Sequence, residues 1–287
     1  MHRTTTSGAT LRPAGGVTLA SVHFERFESA LWQTSSLLLV AEDEAVVIDP
    51  CISADEVSRI AQRAAALGAR VTHVLVTHAD WDHVCGIAAF PDAVATMGAR
   101  TAELVAGGEP LAVIGKRAAT YGLTIEGEPR VDRALAIGVA HRVGPFTVET
   151  IALRGHTLDG TAYRIRELDL LAVGDHLSAV EFPFASMTSE YRATLASLIE
   201  LLRNDPPKHV VPGHGPALST ADALAIAEED LRYLRALRDA AAQPGLDRSR
   251  ALTAAIAVRL PRPAPAEFAQ MHAGNAEVQL EELVPSS

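Results

Sequence analysis

The sequence predicts an α/β fold in which mixed β-sheets are covered by helices. Three observations carry this expectation: β-rich apolar runs alternate with helical patterns along the chain, hairpin turns are mixed among them, and no repeat of 20 to 50 residues interrupts the alternation. The first structured stretch, Ser35 to Ala41 (SSLLLVA), leads through the polar turn Glu42-Asp43-Glu44 into Ala45 to Asp49 (AVVID), a β-hairpin. Ser53 and Glu56 have the spacing of a capping box ahead of a helix that runs to about Leu67, where Gly68 is placed to end it. Val71 to Thr77 (VTHVLVT) is short and β-branched enough to be a buried strand. A short β-rich piece at Ala93 to Thr96 and a helix near Arg100 to Val105 follow, and then a less regular segment from Gly107 to Gly127, placed to act as an insertion or lid. Val131 to Leu153 reads as strand, turn at Gly144-Pro145, strand, and Leu168 to Val173 as a further strand. Leu195, Leu198, Ile199 and Leu202 mark the buried face of a helix from about Ser189 to Arg203. The strand His209 to Val211 then runs into Pro212-Gly213-His214, and the remainder from Thr220 is mainly helical, broken by a turn or linker at Pro261 to Pro265.

Bulk properties narrow the functional classes. A chain of 287 residues with 48% hydrophobic and 21% charged side chains can bury a large core and is not a disordered sequence. Its formal net charge of −10, with no Lys/Arg-rich run, argues against nucleic-acid partners, which need a basic stripe for phosphate contacts. No apolar stretch has the length of a membrane span, and Met1 to Ala20 lacks the apolar core of a secretory signal. Two cysteines, Cys51 and Cys85, suit a reducing cytoplasm better than a disulfide scaffold, and Cys85 reads as a small buried apolar side chain. The expected organisation is a flexible N-terminal segment (1–20), a catalytic domain (21–240) and a C-terminal helical extension docked on it (241–287).

One grammar recurs four times: a β-rich run ends, the backbone turns, and a metal-capable side chain stands at the exit. The exits are Thr77-His78, Gly155-His156, Gly174-Asp175 and Gly213-His214. Glycine before three of them permits tight turning and close approach of backbone to an ion. Adjacent strands would bring all four exits to one end of the fold, where α/β proteins place their ligands. The densest cluster is His78-Ala79-Asp80-Trp81-Asp82-His83, whose imidazoles and carboxylates suit zinc, iron or manganese and let one loop feed two neighbouring ions.

Thr77 to His83 resembles the HxHxDH signature of the metallo-β-lactamase superfamily, with His156, Asp175 and His214 matching its later single ligands in order, and Val47-Ile48-Asp49-Pro50 is similar to its strand-end aspartate. The resemblance covers roughly residues 20 to 235. It implies a four-layer αββα sandwich of two mixed sheets, with two divalent metal ions at one edge. His78, the side chain at position 80 and His156 would hold the first ion, and Asp82, His83 and His214 the second. Asp175 would bridge them, and Asp49 would support the ligands from behind. Two such ions share a hydroxide, which would attack a carbonyl or phosphoryl centre, with Asp82 and Asp175 as catalytic residues.

Position 80 departs from the signature: it is Asp where the common motif has His. Three ligand carboxylates against two divalent ions leave +1, and a bridging hydroxide brings the centre to zero. That balance favours harder ions such as manganese or iron more than the common motif does, with zinc still the leading expectation. The shorter Asp side chain leaves direct ligation at position 80 open.

Other departures bear on the substrate. Asp175 argues against β-lactam hydrolysis, because the di-zinc lactamases generally lack that bridging aspartate. Ser178 stands where acyl-homoserine lactonases usually carry Tyr, although Tyr191 on the following helix is a possible hydroxyl source or a core residue. Trp81 is similar to the residue in glyoxalase II, a thioester hydrolase. The expected function is therefore hydrolysis of a small ester, lactone or thioester. The alternatives are an iron-dependent oxidoreductase, either persulfide dioxygenase-like or diiron, and a metal-binding protein with a degenerate site. His176 is expected to be a non-ligand neighbour of the site. Glu181 to Phe184 is either a substrate wall or a hydrophobic anchor, and His272 with Asn275 is expected to dock the C-terminal segment onto the domain. His2, His23, His73, His141 and His209 are expected on the surface or in packing.

Overall fold

The protein is described by a computed structural model over residues 5–9, 22–262 and 268–283. The first sheet has seven strands in the order β1 (Thr5–Ala9), β2 (Val22–Glu28), β3 (Ser35–Ala41), β4 (Glu44–Ile48), β5 (Arg70–Val76), β6 (Val94–Gly98) and β7 (Arg133–Leu135). β1 to β4 pair antiparallel, while β4 to β7 run parallel. Parallel neighbours need crossovers, which α1 (Ala54–Ala66), α2 (Trp81–Val84), α3 (Ala99–Ala106) and α4 (Glu109–Tyr121) supply. α1 starts at the expected capping box: Ser53 accepts from the Glu56 amide, and the Glu56 carboxylate accepts from the Ser53 amide.

Alternation decides which way each side chain points. Leu38, Val40 and Val47 face α1, where Val57, Ile60 and Ala64 form the complementary stripe. Leu37, Leu39, Val46 and Ile48 face the other way, onto Phe146, Val148, Tyr163, Ile165 and Leu170 of a second sheet. That sheet has the order β12 (His209–Val211), β11 (Leu170–Ala172), β10 (Thr161–Ile165), β9 (Phe146–Ala152) and β8 (Ala140–Val143), with only β11 and β12 parallel. Its outer face packs Ala162, Leu171 and Val210 under α5 (Thr188–Asn204) and α6 (Thr220–Ala241) through Leu195, Leu198, Leu231 and Leu234. The result is helix, sheet, sheet, helix: the four-layer αββα sandwich. Each large aliphatic side chain between the sheets contributes about 1.5–3 kcal/mol by leaving water. Tyr163 adds a link between the sheets by donating its hydroxyl to the Val76 carbonyl at 2.6 Å.

α7 (Arg248–Ile256) and α8 (Phe268–Leu283) close the C-terminal side, with Ala251, Ala255, Ala276 and Leu280 packing on Leu237 and Ala241 of α6. No described helix is long and apolar enough to cross a membrane.

Several elements differ from the sequence-based expectation. Within the N-terminal segment expected to be flexible, Thr5–Ala9 is a strand on β2; the rest of 1–20, with His2, lies outside the described residues, as do 263–265 of the Pro-rich stretch. Val131 to Leu153 holds three strands rather than two. β2 and β10 were not expected because both carry charge into the interior: Glu25, Arg26 and Arg164 are buried. Tertiary partners make this tolerable, among them Arg63 on Glu25 and Asp169 on Arg164. The segment from Gly107 to Gly127 is mostly the helix α4. Pro110 lies in its first turn, where no amide partner is lost, and Gly115 faces open space. Gly108 and Gly122 bound it in left-handed conformations with φ of 78° and 63°.

Candidate metal centre

Five strand ends deliver the site. Asp49 follows β4, His78 follows β5, His156 follows β9, Asp175 follows β11 and His214 follows β12, each within four residues of the strand end, and the side chains from the four exits are brought together. The ends of the two sheets are tied together: the Thr161 amide donates to the Thr77 carbonyl at 2.8 Å and Ser35 donates to Gly213 at 2.7 Å, while Gly213 donates to Gly174 at 2.6 Å within the second sheet. Gly213 is required by close approach, since a Cβ there would collide with Asp175 Oδ1 and lie 2.9 Å from the His83 ring. Gly174 turns the chain at φ 47°.

The four imidazoles share one arrangement. Nδ1 of His78 lies 3.0 Å from Thr77 Oγ1, whose proton is given to Asp49 Oδ2 at 2.7 Å. Nδ1 of His83 lies 3.1 Å from Asp49 Oδ2. Nδ1 of His156 lies 3.0 Å from the Phe184 carbonyl, and Nδ1 of His214 lies 3.0 Å from the Trp32 carbonyl. Each of these oxygens can accept a proton held on Nδ1, an arrangement that leaves Nε2 turned towards a common centre and suits the tautomer that metal-binding imidazoles adopt.

The Nε2 atoms meet carboxylate oxygens there in two groups, His78, Asp80, His156 and Asp175, and Asp82, His83 and His214. Within each group the donor atoms lie within 4.8 Å of one another. His156 Nε2 is 3.2 Å from both Asp80 Oδ2 and Asp175 Oδ2, and His78 Nε2 is 3.7 Å and 3.5 Å from the same two oxygens. Asp82 Oδ2 is 3.5 Å from Nε2 of both His83 and His214. Asp175 faces the second group too, with Oδ1 3.1 Å from His83 Nε2 and Oδ2 3.2 Å from His214 Nε2. Ligand atoms held about 2.1 Å from a tetrahedral ion stand roughly 3.4 Å apart, so these separations fit edges of coordination shells. His78 Nε2, His83 Nε2 and Asp175 Oδ1 are buried without a hydrogen bond in spite of their proximity. They converge on shared points rather than on one another, as atoms around cations do.

The electrostatics point the same way. Burial and the neighbouring His83 oppose a charge on His78, yet Asp175 and Asp80 outweigh them and push its imidazolium up to about 9. For His214, burial is outweighed by Asp175, Glu181 and Asp82, again to about 9. Burial alone would raise Asp175, but His214, His83 and His78 hold it well below the ordinary carboxylate range. Three converging carboxylates thus demand positive charge from whatever shares the site.

The profile described as the metallo-beta-lactamase superfamily matches residues 30–214, more than half of the chain. The protein is a member of the metallo-β-lactamase superfamily. Over 140 residues this superfamily member is 29% identical to the hydroxyacylglutathione hydrolase of Cereibacter sphaeroides, covering 49% of this chain and 46% of that relative, so the match spans about half of either protein. Among solved structures, TTHA1623 in a di-iron-bound form is 26% identical with a TM-score of 0.53, covering 68% of this chain and 94% of that one. ETHE1 from Myxococcus xanthus is 22% identical with a TM-score of 0.54, covering 89% and 99%.

The remaining sequence-predicted residues of this metallo-β-lactamase fold separate clearly. Asp80 shares the first group with its carboxylate 46% exposed, the most open member of the set. His176 belongs to neither group; its buried ring lies 4.5 Å from the Tyr191 ring, and burial followed by the charge of His156 pushes it down to about 3. Tyr191 is buried and donates its hydroxyl to the Asp175 carbonyl at 3.1 Å, which steadies that loop. Ser178 donates to the His214 carbonyl. Within Glu181 to Phe184, Phe182 is buried against Tyr233 and Phe184 is exposed, and Glu181, Phe182 and Phe184 all line a cavity. His272 and Asn275 dock α8 through Tyr233 at 2.8 Å and 3.2 Å.

Two residues absent from the sequence-based set, Asp159 and Thr34, also shape the site. Asp159 accepts from the Ala79 amide at 2.8 Å and so fixes the loop between the ligands. Thr34 places its hydroxyl 3.3 Å from Asp82 Oδ2 and 3.4 Å from His214 Nδ1. Asn275, expected from the sequence to dock the C-terminal segment, also contacts the loop around Phe184. Neither Asp159 nor Thr34 has a motif signal, because each acts through contacts distant in sequence. The groups open into a cavity of about 840 Å³ bounded by α4, α8 and the 181–186 loop.

Proposed function

We propose that the protein is a metal-dependent hydrolase of small esters, lactones or thioesters, with a dinuclear centre that prefers zinc and accepts manganese or iron. His78, Asp80 and His156 would hold one ion and Asp82, His83 and His214 the other, with Asp175 facing both groups. The observation that carries this reading is the set of four imidazoles anchored at Nδ1 with Nε2 atoms aimed at three carboxylates. When bound, the ions supply Lewis acidity and lower the pKa of water towards about 7. Asp82, which lines the cavity floor, orients the attacking water and takes up its proton. Asp175 places both ligand groups around one reacting position. Among the ester-like classes a thioester stands first, because the Cereibacter sphaeroides relative is named as a hydrolase of one. The two buried free cysteines support a cytoplasmic setting.

Metal content by mass spectrometry, on protein purified without added metal, tests the centre. Two ions per chain together with turnover of a thioester, ester or lactone is the expected result, and D82N is expected to lower kcat at least a hundredfold and to weaken the ion assigned to Asp82, His83 and His214 while the other ion is retained. No bound metal after reconstitution overturns the proposal. The second reading, an iron-dependent oxidoreductase, is favoured by the third carboxylate at Asp80 and by the di-iron form of TTHA1623. Bound iron with oxygen consumption would select it.

A further inference from the structure

The cavity over the metal centre contains far more space and apolar surface than a short acyl group needs. Its floor is an aromatic cluster, with the Trp32 and Trp81 rings edge-to-face at 5.5 Å and Tyr121 5.6 Å from Trp32. Around its mouth, apolar side chains from three separate elements remain exposed to solvent: Val113 (42%) on α4, Phe184 (39%) on the loop after the Asp175 turn, and Met271 (38%) on α8. Apolar residues gathered around one opening mark a surface that a ligand covers. The cavity has one cationic lining side chain from Lys or Arg, Arg117, whose guanidinium lies 5.5 Å over the Trp32 ring. Among the described residues no carboxylate pairs with it. Glu109 also lines the cavity, but it stands eight residues earlier on α4, about 12 Å away at 1.5 Å per residue. Arg117 therefore offers a positive charge with no carboxylate partner among the described residues, beside the aromatic floor of the cavity that opens over the metal centre.

We infer that the substrate is an ester or thioester whose acyl part is a long apolar group ending in an anion, with the apolar part between α4, Phe184 and α8 and the anion at Arg117. The inference rests on the hydrolase reading for the scissile bond, but the recognition surface is testable without turnover. Both tryptophans of the chain lie in the cavity floor, so intrinsic fluorescence reports its occupancy directly.

The experiment measures binding of non-hydrolysable thioethers, S-alkyl N-acetylcysteamines of two to ten carbons with and without a terminal carboxylate, to the metal-loaded protein. Hydrolysis of the matching thioesters is followed in parallel. Affinity is expected to rise three- to fourfold per methylene until the cavity is filled, the equivalent of about 0.8 kcal/mol per buried methylene. A terminal carboxylate is expected to add about fivefold at the longer lengths, a gain that R117Q removes. V113D, at an exposed position, is expected to flatten the dependence on length. Affinity independent of chain length, or a carboxylate gain that survives R117Q, overturns the inference. Length-dependent binding without hydrolysis of any thioester, ester or lactone would overturn the hydrolase reading and leave this surface standing.

Discussion

Asn275 on α8 grips both peptides that flank Phe184: its side-chain amide donates to the Pro183 carbonyl at 2.7 Å, and its carbonyl oxygen accepts from the Ala185 amide at 2.9 Å. The Phe184 carbonyl held between them is the acceptor for Nδ1 of His156 at 3.0 Å. A helix near the C-terminus thereby sets the ring orientation of a residue more than a hundred positions earlier.

N275A is expected to weaken the first metal site about tenfold, the lower end of the effect of losing support behind a ligand. Competition of the apoprotein against a chromophoric chelator measures this. Unchanged affinity for both ions would confine Asn275 to docking of α8.

Asp80 gives a prediction about metal preference. D80H replaces a carboxylate by a neutral donor at a position 3.2 Å from His156 Nε2, and it should raise the share of zinc over manganese and iron in the bound metal. Mass spectrometry of both proteins grown in the same mixed-metal medium decides it. Identical metal content would remove Asp80 from the ligand shell.

G213A tests the close packing behind the centre. The added methyl meets Asp175 Oδ1 and the His83 ring, two side chains assigned to different groups. Expected outcomes are loss of at least one bound ion and destabilisation of about 1–3 kcal/mol, as for overpacking in a dense core. Denaturant unfolding with parallel metal analysis reads both.

Glu25 should make part of the stability depend on pH. Burial raises its pKa, but hydrogen bonds from Arg63 and His23 win and bring it below the ordinary 4.5. The native chain then binds fewer protons at this site than the unfolded one. Its contribution is full above about pH 4.5 and is lost as the pH falls through the lower folded value. Because Arg63 is 39% exposed, the E25Q deficit is expected to be about 1–2 kcal/mol at pH 7. Unfolding of both proteins between pH 3 and 7 should show the gap closing on the acid side; a constant gap would contradict the assignment.

The elements legible in the sequence are those whose determinants are local. Leu37 to Val40 alternate because a strand has period two, Ser53 and Glu56 cap α1 because they stand three apart, and each metal-capable residue follows a β-rich run that must turn. The order of His78, Asp82, His83, His156, Asp175 and His214 was therefore readable before any contact was known. β2, β10 and α4 were not legible, since buried Glu25 and Arg164 look like surface residues until their partners are present, and Pro110 and Gly115 look like breakers until their positions in the helix are fixed.

The sequence by itself determined which side chains can hold a metal and that they leave strands at one end of an α/β fold, because strand period and turn chemistry act over a few residues. Tertiary structure alone decided which nitrogen of each imidazole faces the centre. That choice depends on acceptors such as the Trp32 carbonyl, 182 residues from His214, and the Phe184 carbonyl held by Asn275. It also decided that α4 and α8 stand over the site with Arg117 between an aromatic floor and solvent. Such contacts join residues far apart in the chain, and only the packing of the two sheets and their covering helices brings them within hydrogen-bonding distance.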